Sequence, residues 1–218
     1  MKMILAVEVG YYCPVNSYFY IDDETRHGFL IDAGEEAGRL LKIIADKNFI
    51  IEKILITHGH FDHIGAVNEI QNKLKIPVIM HKEGKIYAKN PDWNCSSFFA
   101  NKIILDNVTF LDDGEKIFLE GNPNFFVEMI HTPGHSFDGV IYYSAKDNVA
   151  FVGDTIFKNS YGRYDLPGGD GQTLFNSIRT KILTLPEETI LLSGHTDQTT
   201  VAAEKLSVVS YQWSAVSN

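Results

Sequence analysis

The sequence is poor in cysteine and contains no long apolar run, and both shortages exclude classes of protein. Its two cysteines, Cys13 and Cys95, lie far apart and form no Cys-x-x-Cys pattern. We therefore expect two reduced thiols and not the disulfide framework of a small secreted scaffold. No run of about 18 apolar residues is present, so no membrane-spanning helix is expected. The N-terminal segment becomes acidic at Glu8, too early for the apolar core of a signal peptide, and we expect a cytoplasmic protein.

Basic residues are also scarce relative to acidic ones. The chain has 19 Lys and Arg residues against 28 Asp and Glu residues, and its net charge is −9. A protein that binds nucleic acid needs a basic face for the phosphate backbone, so nucleic acid is not expected as a partner. The charge gives no support for binding to anionic membranes either. We expect a small-molecule partner, and the oligomeric state is left open.

No linker rich in Pro, Gly or Ser, no internal repeat and no low-complexity segment divides the chain. Its hydrophobic fraction of 44% is normal for a globular protein and is enough for a core of useful size. We therefore expect a single domain over residues 1–218.

Both halves of the chain carry strand and helix patterns. In the first half, strands are predicted at 3–9, 16–21, 27–31, 53–56 and 78–80, and helices over 36–47 and 65–74. In the second half, strands are predicted at 108–111, 117–119, 125–130, 140–144, 149–152 and 189–192, and helices over 172–183 and 201–213. This mixture predicts an α/β arrangement with mixed sheets. Residues 84–105 fit neither pattern, and we expect a lid or a surface excursion there.

The most informative segment follows the apolar run Ile54-Leu55-Ile56. From Thr57 to His63 the sequence reads Thr-His-Gly-His-Phe-Asp-His, which places three imidazoles and one carboxylate in six residues. Neutral imidazole and carboxylate are usual ligands of zinc, iron and manganese. Chance produces such a pattern in a chain of this composition on the order of once in a thousand, so a cluster of solvated loop histidines is disfavoured. A strand that delivers these groups at its end indicates half of a metal site.

Three later segments share one pattern, in which an apolar strand is followed by a glycine turn and a metal-type side chain. They are Thr132-Pro133-Gly134-His135, Gly153-Asp154-Thr155 and Ser193-Gly194-His195. Glycine allows the backbone to turn sharply and approach closely at each strand end. The seven candidate metal ligands are His58, His60, Asp62, His63, His135, Asp154 and His195. Seven are too many for one four-coordinate zinc, and they suit two metals that share a bridging carboxylate.

The ordered set His-x-His-x-Asp-His, Thr-Pro-Gly-His, Gly-Asp-Thr and Ser-Gly-His resembles the metallo-β-lactamase superfamily. The segment Leu30-Ile31-Asp32-Ala33-Gly34 also matches the first motif of that family, and residues 153–157 and 162–170 are similar to its glyoxalase II-like subgroup. The resemblance covers about Asp32 to His195. It implies a fold of the α/β (α+β) class, a four-layer αββα sandwich of two mixed β-sheets.

The resemblance also implies how the ligands divide. One metal would be held by His58, His60 and His135, the other by Asp62, His63 and His195, with Asp154 as the bridge and Asp32 as a supporting residue. Two divalent ions are expected, zinc first, with iron or manganese as alternatives. A hydroxide between them would attack a polarised carbonyl, and Asp62 would orient the water or take its proton.

The substrate implied by the subgroup is a thioester such as an S-acylglutathione. Arg163 and Tyr161 are candidate substrate contacts, although an ion pair between Arg163 and Asp165 and packing of the Tyr161 ring explain them equally well. Gly194-His195-Thr196-Asp197 departs from the Gly-His-Gly-Pro common in the subgroup, and the 23 residues after His195 show no counterpart of its glutathione-binding extension, so the thiol is left open.

A second function is implied by the similar Gly-Arg-x-Asp loop of the persulfide dioxygenases. These oxidoreductases hold a single iron through residues that match His58, His135 and Asp154, and such a triad leaves positions open for oxygen. Nucleases of the superfamily are disfavoured by the acidic charge. A binding module without catalysis is the least favoured, because an intact set of seven ligands has no evident structural purpose.

The prominent residues outside the motifs receive structural interpretations. We expect His27 and His81 to have no functional role, and His131 to be more often structural than a support for His135. The aromatic pair Phe98-Phe99 is expected to be buried rather than to line a pocket.

Overall fold

The computed structural model describes residues 2–99 and 101–206, and its first sheet is built from the first half of the chain. Six strands lie in the spatial order β1 to β6: β1 (Lys2–Val9), β2 (Val15–Asp22), β3 (His27–Ile31), β4 (Ile50–Leu55), β5 (Val78–His81) and β6 (Val108–Leu111). The first three strands pair antiparallel and the last three are added in parallel. Parallel neighbours need crossover connections, and helices supply several of them here.

Four helices accompany the first sheet. They are α1 (Ala37–Asp46), α2 (Phe61–Ile64), α3 (Val67–Leu74) and α4 (Lys85–Lys89), with short 3-10 turns at Lys82–Gly84 and Ser96–Phe98. In α1 the buried residues Ala37, Leu40 and Ile44 recur at helical spacing, so one stripe of the helix packs on the sheet.

The second sheet is built from the second half of the chain. The strands of this half are β7 (Lys116–Phe118), β8 (Phe126–His131), β9 (Val140–Ser144), β10 (Val149–Gly153), β11 (Ile156–Phe157), β12 (Ser160–Tyr161), β13 (Ile190–Ser193) and β14 (Thr199–Thr200). The spatial order of the second sheet is β14-β13-β10-β9-β8-β7, and β11 and β12 form a separate hairpin. Only β10 and β13 pair in parallel within this sheet, and α5 (Gly171–Ser177) continues into a π-helical turn at Ile178–Ile182 to connect them.

Side chains alternate between the two faces of each sheet, and this alternation produces four layers. On β2, Tyr18 and Tyr20 face the second sheet, whereas Phe19 and Ile21 face the helices of the first half. On β10, Phe151 lies in the core between the sheets, and its neighbours Ala150 and Val152 lie in the core beneath α5. Three separate buried clusters therefore fill the three spaces of a helix-sheet-sheet-helix sandwich, which confirms the predicted αββα fold.

Most predicted elements are present, with shifts of one to three residues at their ends. The helix predicted over 65–74 is two helices, α2 and α3, and the helix predicted over 172–183 becomes π-helical after Ser177. Residues 201–206 are helical as predicted, and 207–213 lie outside the described residues. In the described part of the chain no helix is long and apolar enough to cross a membrane. The single domain over 1–218 stays a prediction.

The segment 84–105 differs from a surface excursion. Asn94 is fully buried, and its side-chain amide donates to the carbonyl oxygens of Tyr87 and Ile103 at 2.8 and 3.0 Å. The carbonyl of Asn94 accepts a hydrogen bond from the Phe61 amide at 2.8 Å, so the segment packs directly against the histidine-rich loop. Periodicity does not detect this segment because a single buried amide, and not a regular apolar face, organises it.

Candidate metal centre

Four strand ends meet at one edge of the sandwich. The strands β4, β8, β10 and β13 each end within two residues of the start of a predicted ligand segment. Hydrogen bonds join the sheets at this edge. Among them, the Val140 amide donates to the Thr57 carbonyl at 2.9 Å, and the Tyr142 hydroxyl donates to the Ile56 carbonyl at 2.8 Å. The fold therefore brings segments that are far apart in sequence into one place, as predicted.

Three imidazoles form the first group of candidate ligands. Nε2 of His135 lies 3.1 Å from Nε2 of His58 and 2.9 Å from Nδ1 of His60. All three side chains are buried. Three nitrogens bound to one tetrahedral zinc at 2.0–2.1 Å would lie roughly 3.4 Å apart, so the spacing is close to that of a metal site. We call this group the three-histidine set.

Asp62, His63 and His195 form the second group, the mixed set. Oδ2 of Asp62 lies 3.3 Å from Nε2 of His195 and 3.9 Å from Nε2 of His63. One ligand atom from each of the three residues falls within 4.8 Å of the others. A carboxylate and two imidazoles in this arrangement are a second plausible donor set for a divalent ion.

Asp154 contacts both groups. Its Oδ1 lies 3.4 Å from Nε2 of His63, and its Oδ2 lies 3.2 Å from Nε2 of His195 and 3.7 Å from Nε2 of His135. The carboxylate therefore lies between the three-histidine set and the mixed set. A bridging carboxylate can offer one oxygen to each of two cations and reduce their mutual repulsion.

Four of the candidate histidines use Nδ1 for a hydrogen bond to a neighbouring oxygen atom. Each of these bonds directs Nε2 of the same ring toward the centre. The acceptors are Thr57 Oγ1 for His58 at 3.2 Å, Asp32 Oδ2 for His63 at 2.8 Å, the Arg163 carbonyl for His135 at 2.6 Å and the Pro14 carbonyl for His195 at 2.7 Å. Such partners hold the tautomer and the ring orientation of metal-binding histidines. Asp32 has the supporting position that the resemblance implies, and it also accepts the amide and hydroxyl hydrogen bonds of Thr57.

The three-histidine set is poised in the neutral form. Burial lowers the pKa of His60 to about 3, and the neighbouring ring of His135 lowers it as well. Burial likewise holds the pKa of His58 well below its ordinary value and lowers that of His135. A neutral imidazole keeps the lone pair that a metal needs, so these three rings require no deprotonation to bind an ion.

In the mixed set, the nearby carboxylates favour the protonated form of the two imidazoles. Burial lowers the pKa of His195, but hydrogen bonds to Asp154 and Asp62 outweigh it and raise the value to about 10. Burial also opposes the charged form of His63, and the carboxylates of Asp32, Asp154 and Asp62 raise its pKa well above the ordinary range. Although burial raises the pKa of Asp154, the positive charges of His63 and His195 hold it well below its usual value. Without metal, the positive charges of His63 and His195 therefore balance the nearby carboxylates, as a bound cation would.

Three buried polar atoms of candidate ligands form no hydrogen bond of normal geometry. They are Nε2 of His60, Nε2 of His63 and Oδ1 of Asp154, and the last two face each other at 3.4 Å. Buried polar atoms without such a bond are rare and costly in folded proteins. All three belong to candidate ligands, and imidazole and carboxylate are the donors that zinc, iron and manganese accept. The residues present therefore fit divalent metal ions.

The structure brings all seven predicted ligands together, whereas the predicted substrate contacts have other partners. The side chain of Arg163 is exposed and pairs with Asp165 at 2.7 and 2.8 Å. Only its carbonyl contacts a candidate ligand, His135. The Tyr161 ring packs edge-on against Phe175 at 4.8 Å between centroids. A substrate role for Arg163 and Tyr161 stays a prediction.

The remaining histidines and aromatics have structural contacts. His27 pairs with Glu52, and His81 stacks on His131 at 3.9 Å between ring centroids. Nε2 of His131 donates to the carbonyl of Phe137 at 2.7 Å. The expected burial of Phe98 and Phe99 is wrong, because the side chains are 78% and 40% exposed on a short 3-10 turn.

Asp138 is a supporting residue that the sequence analysis missed. Its Oδ2 accepts a hydrogen bond from the amide of Gly59 at 2.9 Å, and Gly59 separates His58 from His60. The side chain is 1% exposed, and burial raises the pKa of Asp138 to about 7. The signal in the sequence was an acidic residue three positions after His135 and two positions before the buried strand β9. The Pro14 carbonyl that orients His195 has no signal in the sequence, because it is a backbone atom.

Gly194 is needed for the close approach of two strand ends. A Cβ atom at this position would lie 2.4 Å from Oδ1 of Asp154 and 2.8 Å from Cε1 of His63. Any side chain would displace the carboxylate that joins the two groups of ligands. The glycine before His195 therefore serves the packing of the centre.

Comparison with known proteins agrees with the site. The family model described as the metallo-beta-lactamase superfamily matches residues 10–195. The probable metallo-hydrolase YqgX of Bacillus subtilis is 37% identical over 191 residues, covering 87% of this chain and 89% of the relative. The hydroxyacylglutathione hydrolase GloC of Haemophilus influenzae is 33% identical over 189 residues, covering 85% and 87%.

Solved structures share the fold. The BLEG-1 B3 metallo-beta-lactamase is 36% identical with a TM-score of 0.86, over 93% of this chain and 96% of that one. TTHA1623 in a di-iron-bound form is 33% identical with a TM-score of 0.81, over 92% and 96%. ETHE1 from Myxococcus xanthus, at 22% identity and a TM-score of 0.75 over 93% and 81%, shows the fold alone. With this match over most of its length and the metal-binding His/Asp cluster in place, the chain belongs to the metallo-β-lactamase superfamily.

Proposed function

We propose that the protein is a hydrolase that cleaves thioesters with two divalent metal ions held by the seven candidate ligands. The observation that carries the proposal is the position of Asp154, whose carboxylate contacts the three-histidine set and the mixed set at 3.2–3.7 Å. A single ion would leave one of the two groups of donors without a ligand role. When bound, two such ions lower the pKa of a water between them and polarise a carbonyl.

The residues of the chain supply the remaining requirements. Burial opposes ionisation of Asp62, but the positive charges of His63 and His195 lower its pKa, so the group is a carboxylate that can orient a water or accept its proton. In the overall reaction, water adds its oxygen to the acyl carbon, the carbon–sulfur bond breaks, and the products are a carboxylic acid and a thiol. A thiol leaves readily as the thiolate, so no strong general acid is required at the sulfur.

The relatives support the class of reaction. GloC is named a hydroxyacylglutathione hydrolase, and YqgX is named a probable metallo-hydrolase. We infer that zinc is the first candidate metal, because zinc accepts both three imidazoles and two imidazoles with a carboxylate as donor sets. Iron is the second candidate, since a protein of similar sequence and fold is described in a di-iron-bound form.

Persulfide oxidation with a single iron is the alternative. Nε2 of His135 lies 3.1 Å from Nε2 of His58 and 3.7 Å from Oδ2 of Asp154, so His135 is near both of the other residues that would hold a single iron. The mixed set does not separate the two reactions, because the resemblance places all seven ligands in both families. Metal number and oxygen uptake therefore distinguish the two reactions.

The test combines metal analysis with a substrate panel. Protein purified without oxygen is analysed for zinc, iron and manganese, and is then assayed with S-lactoylglutathione, an acyl-coenzyme A and a chromogenic cephalosporin. We expect two metals per chain and release of thiol from a thioester. The cephalosporin is included because one similar structure is named a B3 metallo-β-lactamase.

Asp154→Ala and Asp197→Asn form a matched pair of variants. Asp197 lies two residues from His195, but its side chain is 83% exposed and pairs with Lys158. We expect Asp154→Ala to lose metal and thioester cleavage and Asp197→Asn to retain both. One iron per chain, with oxygen consumption on addition of glutathione persulfide and no thioester cleavage, would refute the hydrolase and establish the alternative.

A further inference from the structure

Exposed aromatic residues recur on the segments that carry the candidate ligands and on segments that pack against them. Nine aromatic residues within the described ranges are exposed, and Phe118 is the only one of them that belongs to a strand remote from the centre. The other eight lie on segments that carry candidate ligands or their hydrogen-bond partners, or pack against such segments. Scattered surface aromatics need no explanation, but aromatic residues that recur on the segments of one polar site point to a ligand-binding region.

The first of these segments is the loop between β1 and β2. Tyr12 is 77% exposed, and two residues later the Pro14 carbonyl accepts the hydrogen bond from His195. Asn16, at the start of β2, donates through its side chain to the carbonyls of Ser193 and Thr196 on either side of His195. The loop is therefore held against the segment of His195, and Tyr12 is an exposed residue of this loop.

Two further rings flank the three-histidine set. Phe99 packs on Phe61 with ring centroids 4.4 Å apart, and Phe61 lies between the ligands His60 and Asp62 in sequence. Phe137 follows His135 by two residues, is 46% exposed, and packs on Trp93 at 5.6 Å. The rings are therefore supported from behind by other aromatic side chains.

The fourth ring follows the residue that orients His135. Tyr164 comes directly after Arg163, whose carbonyl accepts the hydrogen bond from His135, and its side chain is 43% exposed. The Tyr164 ring packs against Phe175 of α5 at 6.1 Å between centroids. We call Tyr12, Phe99, Phe137 and Tyr164 the aromatic rim.

We propose that the aromatic rim binds an apolar group of the thioester and selects substrates with an aromatic or long-chain substituent near the scissile bond. The inference rests on the proposed function. The four rings come from four separate segments, each tied to a candidate ligand, and not from one continuous face. A partner protein bound to all four rings would block access to the metal centre. We therefore take the substrate, and not a partner protein, as the ligand of the aromatic rim. Rings partly exposed beside a desolvated polar centre stabilise an apolar ligand by stacking and by removing its surface from water.

The apolar group can belong to the acyl part or to the thiol part, and two substrate series separate these sources. In the first series the thiol is N-acetylcysteamine and the acyl group changes from acetyl to hexanoyl to phenylacetyl. In the second series the acyl group is acetyl and the thiol changes from N-acetylcysteamine to benzyl mercaptan. We expect kcat/KM to rise about tenfold along at least one series. Equal kcat/KM values along both series would overturn the inference.

Phe99→Ser tests the rim itself, and Phe118→Ser is its matched control. Phe118 is 45% exposed and packs on Phe126 at the start of β8, the end of that strand opposite His131. Because both side chains are exposed, neither change removes core packing, and thermal unfolding verifies that both variants fold. We expect Phe99→Ser to reduce the preference for the apolar substrate at least threefold, and Phe118→Ser to leave it unchanged. Equal effects of the two variants would contradict the assignment of the rim.

Binding without turnover separates this inference from the proposed function. S-benzylglutathione and S-methylglutathione are thioethers that cannot be hydrolysed, and their affinities for the metal-loaded protein are measured by titration calorimetry. We expect the benzyl compound to bind about tenfold more tightly, and Phe99→Ser to remove most of the difference. If benzyl selectivity is found and no thioester is cleaved, the proposed reaction fails and the rim stands. If thioesters are cleaved and both the kinetic and the binding preferences are absent, only the rim fails.

Discussion

At the scale of single residues, the buried carboxyl group of Asp138 holds the turn between the first two histidines of the cluster. It accepts the amide hydrogen bond of Gly59 at 2.9 Å, and the other oxygen, Oδ1, has no partner. The residue binds no candidate metal position itself. It acts on the three-histidine set through the backbone, by fixing the direction in which His58 and His60 leave the turn.

Replacing Asp138 by Ala should therefore differ from replacing it by Asn. Ala leaves the Gly59 amide buried without an acceptor, and we expect the free energy of unfolding to fall by about 1–3 kcal/mol. We also expect metal affinity at the three-histidine set to fall by about 10–100-fold, as for other residues that orient ligands. Asn retains an acceptor, so this variant should keep most of the free energy of unfolding and most of the metal affinity. Urea unfolding measures the first quantity, and competition with a chromophoric chelator measures the second. Equal losses in the two variants would contradict the proposed role of Asp138.

The pH dependence of stability in the metal-free protein provides a second prediction for the same residue. Burial raises the pKa of Asp138 from 3.8 to about 7, so folding favours the protonated form. The stabilisation from this group is complete below pH 4 and is lost as the pH rises through about 7. Asp138→Asn has no such titration, so its free energy of unfolding should improve relative to the parent protein between pH 5 and pH 8. Urea unfolding at both pH values tests this, and a constant difference would refute it.

Metal binding should release protons from the mixed set and not from the three-histidine set. At pH 7.5 the raised pKa values of His63 and His195 leave both rings protonated without metal, whereas the lowered pKa values of the other three leave those rings neutral. Since metals bind neutral imidazole, we expect the first ion to bind without proton release and the second to release about two protons. The affinity for the second ion should increase as the pH rises to about 10, because His195 loses its proton over that range. Calorimetry in buffers of different ionisation enthalpy counts the protons, and His195→Ala should reduce the count by about one.

At the scale of elements, the first turn of α5 holds the Thr132–His135 turn in place. The Asp170 amide donates to the Gly134 carbonyl at 2.8 Å, and the Asp170 side chain caps α5 by accepting from the Thr173 amide at 2.7 Å. Gly134 has a φ of 132°, and a Cβ atom there would lie 2.2 Å from the Leu174 amide nitrogen. The helix and the ligand turn are therefore in contact through backbone atoms.

Removing the cap should loosen this contact in a measurable way. We expect Asp170→Ala to lower the free energy of unfolding by about 1 kcal/mol, because the first turn of α5 loses the acceptor for one of its free amides. Asp170→Asn keeps a capping oxygen and is the matched control, with a loss of a few tenths of a kcal/mol at most. Denaturant unfolding of the metal-loaded variants provides the comparison. A loss of the same size in both variants would show that the charge, and not the cap, matters.

At the scale of the whole molecule, the candidate metal centre joins the two halves of the sandwich. Asp62 and His63 follow the first sheet, whereas His135, Asp154 and His195 follow strands of the second. Metal bound by both groups stabilises the folded state, because the unfolded chain does not hold these ligands together.

Removing the metal should therefore lower the melting temperature of the whole domain. At a free metal concentration of one hundred times the dissociation constant, binding contributes about 2.7 kcal/mol. We expect chelator-treated protein to melt several degrees lower than the loaded protein, and added zinc to restore the original value. Asp154→Ala should show little response to zinc. If chelation leaves the melting temperature of the parent protein unchanged, the metals do not link the two halves.

The sequence by itself determined the mixture of strands and helices and the set of ligands, because both leave repeated signals along the chain. Alternating apolar residues predicted most of the strands, and four strand ends followed by His or Asp predicted the seven ligands before any geometry was known. The resemblance to a known family then supplied the order of the layers and the division of the ligands. The two-residue strands β11, β12 and β14 escaped prediction because they are too short for any periodicity.

Only the tertiary structure decided which atoms orient the ligands and what surrounds them. The Asp138–Gly59 hydrogen bond joins residues 79 positions apart, and the Pro14–His195 hydrogen bond joins residues 181 positions apart. One partner in each pair is a backbone atom, which every residue possesses, so no side-chain pattern announces it. The exposure of Phe99 and Tyr12 was equally undetermined, because an aromatic ring in a loop is buried or exposed according to what the rest of the chain packs against it. The packing of the two sheets brought these distant segments together, and it alone placed the rings beside the metal centre.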